Sequence, residues 1–469
     1  MAPSGTAPLR NGGVSFWYSS LGLPEARPAL PGPAEADVCI VGGGFTGLWA
    51  AYYLKKADPG LRVVVLESRF CGYGASGRNG GWLYNGFAGR GVFARRYGHE
   101  RARAMQRAMN DAVAEVVRVA AAEGIAADVA PGGVLEVART PAQLARLRSF
   151  VEEERTFDEA DRVMLTAVQT TERVRVAGAL GGTWTPHGAR IQPAALVQGL
   201  ARTVASLGVV IHESTPVTEI HPASGASRAR AVTPYGAVTA DYVLRATEGF
   251  TAQIRGERRT WLPMNSAMLV TEPLPESFWA ETGWEGREVL GDFAHAYMYA
   301  QRTADDRIAL GGRGVPYRFG SRTDTDGGTQ QRTVRQLREM LLRFFPGAAD
   351  ARIEQAWAGV LGVPRDWCST VELDRSSGLG WAGGYVGSGV TTANLAGRTL
   401  RDLVLGETTE LTGLPWVGHT VRRWEVEPLR WLGVHGLYAA YHAADRQEAA
   451  GRPTTSPLAR IADAVSGRH

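Results

Sequence analysis

The alternation of apolar and polar positions changes period repeatedly along this chain, and each change marks an element. DVCIV (37–41) is an unbroken apolar run, which predicts a strand covered on both faces. Three glycines follow, then TGLWAAYYLKKA (46–57) predicts a helix and RVVVLE (62–67) a second parallel strand. Residues 98–125 and 140–160 combine helical period with many charges, which predicts solvated helices. GGVLEVA (132–138) and GGTWTP (181–186) read as strands with turns. QPAALVQGLARTVASLG (192–208) predicts a helix leading into the strand VVIHES (209–214), and YVLRAT (242–247) a further strand. Residues 261–317 are strand-rich and aromatic, and TVRQLREMLLRFFPG (333–347) is a helix with one apolar face. GLGWAGGYVGSGVTTANLAGRTLRDLVLG (378–406) runs again from strand through glycine turn to helix.

This order predicts an α/β fold: a discontinuous Rossmann-like unit plus a unit with a mixed or antiparallel sheet and helices. The expected division is an N-terminal arm (1–33), a Rossmann-like unit from 34–90, 186–250 and 355–406, a second unit from 91–185 and 251–354, and a helical tail (407–469). The arm is rich in Pro, Gly and Ser around the aromatic plug FWYSSLG (16–22) and is expected to lie across a surface.

Composition narrows the function classes. The chain has 469 residues, 44% of them hydrophobic, enough for a large core. Its 51 basic residues against 47 acidic are scattered, which gives no stripe for nucleic acid. Lys55 and Lys56 are the only lysines, so any cation needed elsewhere must be arginine or histidine. Cys39, Cys71 and Cys368 are too few and too far apart for a disulfide framework or a zinc site. No signal-peptide pattern and no membrane span are seen, and a cytoplasmic protein is expected.

The first glycine turn carries the chemistry. Gly42, Gly44 and Gly47 form G-x-G-x-x-G between a strand and a helix. The first allows the turn, the second lets backbone approach a diphosphate, and the third lets helix pack on strand. The diphosphate would sit on the helix N-terminus, where free N–H groups and the dipole favour negative charge. Glu67 ends the second strand twenty residues past Gly47, where a carboxylate accepts hydrogen bonds from ribose hydroxyls. A dinucleotide site is predicted.

VVVLE, the loop GYGASGRNGGWL and the distant GGYVGSGVTTANLAGRTLRDL together resemble the FAD-dependent amine and amino-acid oxidases related to D-amino-acid oxidase, above all its γ-glutamylputrescine oxidase-like branch. The resemblance runs from about residue 35 to about 406. It implies non-covalent FAD held by segments far apart in sequence. Gly42, Gly44, Phe45, Thr46 and Gly47 would hold the diphosphate, and Glu67 with Ser68 the adenosine ribose. Ser76, Gly77, Arg78, Asn79, Gly80, Gly81 and Trp82 would line the diphosphate and flavin, and Val217 would meet the adenine, with Thr247 nearby. Gly387, Gly389, Val390 and Thr391 would meet the flavin ring, on a second helix start that Thr391 and Thr392 could cap. The implied reaction is oxidation of a primary or secondary amine to an imine, with oxygen or another electron acceptor.

The substrate site is expected under the strand-rich region. Trp82, Tyr84, Tyr297, Tyr299 and Trp367 are candidates to line it, and Arg302 and Arg313 to bind a carboxylate bidentately. His187 and His295 are the histidines expected nearest the flavin, and no metal constellation stands out. Two departures from relatives matter: Cys368 does not match the context of a flavin-attaching cysteine, and Ala309 stands about where some relatives place a lysine over the flavin. LGDFAH (290–295) has a counterpart in flavin hydroxylases that use NAD(P)H. Here, however, it runs into the strand AYMYAQ and no second dinucleotide turn exists, so that reading and a non-redox flavin scaffold remain alternatives. In the tail, Trp416, Trp424 and Trp431 have helical spacing, which points to packing on the body or on a second subunit of a homodimer.

Overall fold

The computed structural model describes residues 8–157, 161–312, 314–323 and 326–466. Apolar runs become the parallel core of one sheet. Ala34–Val41 pairs in parallel with Val63–Leu66 on one side and Gly236–Arg245 on the other, and Val63–Leu66 with Val210–His212. Leu379–Gly383 extends the parallel set beyond Arg245, while Glu219–His221, Ala229–Thr233 and Thr370–Asp374 add antiparallel edges. Helices Phe45–Ala57, Pro193–Ser206 and Gly389–Leu405 supply most of the cover. Two of them touch backbone to backbone: a Cβ at Gly397 would lie 2.7 Å from the carbonyl carbon of Trp49.

The second sheet has nine strands, in the order Arg10–Asn11, Ile353–Val363, Leu262–Thr271, Ile308–Gly312, Tyr299–Arg302, Val289–Asp292, Val134–Ala138, Gly181–Thr185 and Val163–Thr166. Most neighbours are antiparallel, and helix Gln331–Phe344 lays Val334, Leu337, Leu341 and Phe344 on it. The sequence reading grouped residues from 355 onward with the Rossmann-like unit. Instead, Ile353–Val363 pairs along its length with Leu262–Thr271, from Leu262 opposite Val363 to Thr271 opposite Ile353. Nearness in sequence to the second glycine turn does not decide the sheet: hydrogen bonding seats this strand between Arg10–Asn11 and Leu262–Thr271 in the nine-stranded one.

The arm is anchored, not draped. Arg10–Asn11 adds a parallel strand beside Gln355 and Ala356, and Phe16, Trp17 and Tyr18 are buried, Trp17 edge-on to Trp357. In the tail, Trp431 alone of the three tryptophans lies on the helix Leu429–Ala449. Trp416 and Trp424 sit in irregular backbone and are buried against the body, where Trp424 Nε1 donates to the Val363 carbonyl at 2.7 Å. Pro428, just before that helix, explains why the spacing did not make one continuous helix. Among the described residues no helix is long and apolar enough to cross a membrane.

Candidate active site

A single elongated cavity, about 1780 Å³ of empty space out to its solvent mouth, runs from the first glycine turn to the aromatic residues of the nine-stranded sheet. It lies at the carboxyl ends of the parallel strands, where open α/β sheets bind ligands. Gly42 has φ +111°, and a Cβ there would lie 2.6 Å from the Ala246 carbonyl oxygen. A Cβ at Gly47 would lie 2.0 Å from the Gly42 carbonyl oxygen, so this glycine packs helix on turn and does not itself line the cavity. Helix Phe45–Ala57 has no side-chain N-cap, and of its first three N–H groups only that of Phe45 has a partner among the described residues, Ser76 Oγ at 2.8 Å. The helix start, with Gly44, Phe45 and Thr46 on the wall, is therefore available to an anion.

Glu67 and Ser68 face the same end, with Val217 beside them. The Glu67 carboxylate accepts from Gly43 N at 2.8 Å and Arg69 N at 3.0 Å. Burial raises its pKa, and those N–H groups partly offset the effect. The loop after this strand brings Ser76, Arg78, Asn79, Gly80 and Trp82 to the wall. Gly77 and Gly81 stand behind it, pressed against Tyr18 and against Gln301 and the Ile191 carbonyl.

Arg78 tests whether FAD fits. Its Nε donates to the Tyr73 carbonyl at 2.8 Å and Nη1 to the Ala358 carbonyl at 3.3 Å, but buried Nη2 has no partner among the described residues. No carboxylate pairs with it among them either. A buried guanidinium facing a cavity without a counter-charge is costly unless the ligand brings negative charge, as a diphosphate or an electron-rich flavin edge does. The donors fit FAD.

Thr247 lines the wall beside Gly42, its N 3.5 Å from where a Gly42 Cβ would lie, and at the far end Gly387, Gly389 and Val390 do so. Thr391 is buried behind it and accepts from Tyr84 N at 3.0 Å, while Thr392 donates to the Ser388 carbonyl at 2.7 Å. Neither caps the helix, which again leaves its first N–H groups open. Trp82, Tyr84, Tyr297 and Tyr299 cluster there, with ring centroids 5.7 Å apart for Trp82 and Tyr84 and 6.5 Å for Tyr297 and Tyr299. Tyr84 and Ser388 share a hydrogen bond of 2.6 Å, and Tyr299 and Ser266 one of 2.8 Å.

Several expected residues lie elsewhere. Arg302 is outside the cavity: it donates to Glu285 at 2.8 Å and Asp306 at 2.8 Å and stacks over Trp279 at 4.1 Å. Strand alternation explains this. Tyr299 and Gln301 share the cavity-side face, where Gln301 Nε2 donates to the Gly80 carbonyl, and Arg302 points to the opposite face. Arg313 lies outside the described residues. Trp367 lines a separate apolar hollow under the tail, and His187 pairs with Asp161 at 2.8 Å away from the cavity. His295 is buried near the site but faces the tail helix. Cys368 is fully buried beneath Gly89, its thiol pKa pushed up by burial.

Glu248 was missed. It lines the cavity at φ +41°, a left-handed backbone that non-glycine residues seldom adopt, and accepts from Tyr385 N at 2.9 Å and from Gly362 N. Burial pushes its pKa up to about 7. An acid just past a parallel apolar strand, as in YVLRATE, is the signal that identified Glu67 and could have found it. Tyr385, whose hydroxyl meets Thr46 Oγ1 at 3.0 Å, was missed too and joins the two glycine turns across the cavity.

A model of the FAD-dependent oxidoreductases of the D-amino-acid oxidase type (DAO) matches residues 37–403. The chain is 32% identical over 400 residues to γ-glutamylputrescine oxidoreductase of Escherichia coli K12, covering 84% of this chain and 89% of that one. It is 30% identical over 414 residues to a probable oxidoreductase, OrdL, of Rhizobium meliloti, at 84% and 89% coverage. Glycine oxidase from Geobacillus kaustophilus superimposes with a TM-score of 0.67 at 20% identity, over 82% of this chain and all of that one. With a dinucleotide cradle, an uncompensated arginine and an aromatic end in one cavity, this chain belongs to the FAD-dependent oxidoreductase family of D-amino-acid oxidase type, as an enzyme of the amine and amino-acid oxidase class.

Proposed function

We propose that the protein oxidises a primary or secondary amine of a small metabolite, with oxygen as the electron acceptor. The observation that carries the amine is the far end of the cavity. Trp82, Tyr84, Tyr297 and Tyr299 crowd together there, and the only charged residues among the described ones lining the whole cavity are Glu67, Arg78 and Glu248. Aromatic faces attract an ammonium group on approach, and the dry surroundings favour its loss of a proton, leaving the neutral amine that can be oxidised. Bound FAD would accept a hydride from the α-carbon, and the resulting imine would be hydrolysed by water.

The residues of this chain supply position and desolvation. Gly42 to Thr46, Glu67 and Arg78 would hold the dinucleotide, and Val217 its adenine. Gly387 to Val390 would present an uncapped helix start to the flavin ring, with Tyr84 buttressed through Ser388 and Tyr299 through Ser266. FAD is non-covalent in this reading, since no cysteine or histidine is among the described residues that line the cavity. The division of the chain follows the sheets, with Ile353–Val363 assigned to the substrate unit.

The test is anaerobic mixing of the purified protein with a panel of amines and amino acids. Bleaching of the flavin by an amine, with hydrogen peroxide formed on readmitting air, supports the proposal. Bleaching by NADPH alone overturns the amine, and amine reduction without peroxide overturns oxygen as acceptor. Acid precipitation should leave the yellow colour in the supernatant.

A further inference from the structure

Phe293–Met298 joins two antiparallel strands, Val289–Asp292 and Tyr299–Arg302, as a hairpin tip. Such a tip normally leaves its N–H groups to water. Here side chains take them. Asp445, on the tail helix Leu429–Ala449, accepts from His295 N and Ala296 N, both at 2.9 Å. Glu448, one turn on, meets His295 Nε2 at 3.0 Å, and Tyr441, one turn back, stacks on the same ring with centroids 5.9 Å apart. Arg146 ties the arrangement together, donating to Glu448 and to the Phe293 carbonyl, each at 2.8 Å. Asp292 holds the other end through Met298 N at 2.8 Å. Positions 441, 445 and 448 share one helix face, so about two turns of the tail grip six residues of hairpin.

The next residue after Ala296 is Tyr297, which lines the cavity; a Cβ on Gly387 would lie 3.8 Å from its hydroxyl. The match to the family ends at residue 403, so the gripping helix lies wholly beyond it. We infer that the C-terminal helix is the outer wall of the substrate end, with Asp445 as the positioning residue that fixes Tyr297. The tail thereby contributes to substrate recognition while leaving cofactor binding to the rest of the chain. This rests on the substrate end assigned above.

The experiment compares holoenzyme of the parent, Asp445→Ala, Tyr297→Ala and the double variant, using an amine that reduces the parent. Asp445→Ala should keep parental FAD stoichiometry, while half-saturation of flavin reduction rises about tenfold, as expected for a misplaced site residue. In the Tyr297→Ala background the same change should add nothing, because it acts through Tyr297. Bound-flavin emission in Asp445→Ala should also become quenchable by iodide where the parent's is shielded, a readout that needs no substrate. Unchanged half-saturation and iodide access, or an equal increment in the Tyr297→Ala background, overturns the inference. Should Asp445→Ala fail to fold, Asp445→Asn keeps the shape and one acceptor and must move both readouts the same way. A parent that no amine reduces refutes the proposed reaction instead and leaves iodide quenching to decide this one.

Discussion

The two ends of the cavity are built from different materials. At the Gly42 end the wall is mostly backbone: a turn at φ +111°, a helix start without a side-chain cap, and glycines whose absent side chains make the space. At the Tyr297 end the uncapped helix start at Gly389 is joined by aromatic side chains, each held by a partner from another segment: Tyr84 by Ser388, Tyr299 by Ser266, the Tyr297 hairpin by Asp445. A backbone wall suits a ligand that never changes, because it tolerates almost no substitution. A side-chain wall can be re-cut for a different substrate without disturbing the cofactor. Replacements at the first end should therefore cost FAD, and those at the second should cost substrate.

The sharpest way to break that contrast is Gly47→Ala. A methyl 2.0 Å from the Gly42 carbonyl oxygen forces helix and turn apart. The overpacking should cost about 1–3 kcal/mol, with FAD largely lost from the purified protein, as absorbance and thermal unfolding would report. A yellow, parental-stability Gly47→Ala protein would break the comparison at its firmer end. Arg78→Met comes next. It removes the buried charge while keeping a long apolar stem, and FAD should bind more weakly by about 1.5–3 kcal/mol, the range for a charged hydrogen bond. Fluorescence titration of apoprotein measures it; unaltered affinity would place the ligand's negative charge elsewhere.

The same contrast explains what was legible beforehand. A glycine turn between strand and helix is a local pattern with one physical reading, so Gly42, Gly44 and Glu67 could be placed from spacing alone. Gly47, Gly77, Gly81 and Thr391 were found but stand one layer behind the wall, since spacing marks where the backbone must be tight and not which atoms face the ligand. Arg302 failed for another reason: which face of a strand meets the cavity depends on its neighbours, and Gln301 took that face. The grip of Asp445 and Glu448 on residues 293–298 spans about 150 positions and leaves no local trace. Glu248 did leave one, an acid past a parallel strand, and it was overlooked.

Acid offers a way into the second end without touching the cavity. Burial alone pushes the Glu448 carboxyl up, but His295 and Arg146 outweigh it and hold its pKa down to about 2. A depressed pKa gives stability that is present above the unfolded value near 4.3 and is lost as pH falls toward 2, on the order of 2 kcal/mol here. Urea unfolding of parent and Glu448→Gln should thus differ at pH 6, the gap shrinking from about pH 4, with about half left near pH 3, and closing only below about pH 2. A gap independent of pH would mean that the carboxylate charge is not what holds the helix to the hairpin. Tyr299→Phe is milder still. Losing the hydroxyl that meets Ser266 should raise half-saturation by substrate several-fold, about 1 kcal/mol, with FAD content unchanged.

Arg302→Lys should have the smallest effect on substrate of all, and that makes it the most discriminating. The guanidinium lies on the face of its strand opposite Tyr299, stacked on Trp279 and paired with Asp306 and with a largely exposed Glu285. Exposed ion pairs contribute little, about 0–1 kcal/mol, and lysine keeps the charge while losing the flat stack and the fork. The variant should therefore unfold slightly earlier on heating, with half-saturation and rate of flavin reduction at the parental values. A rise in half-saturation as large as that of Tyr299→Phe would mean that the strand turns its other face to the substrate in solution. The aromatic end would then have to be redrawn around a carboxylate clamp, with the tail helix no longer its outer wall.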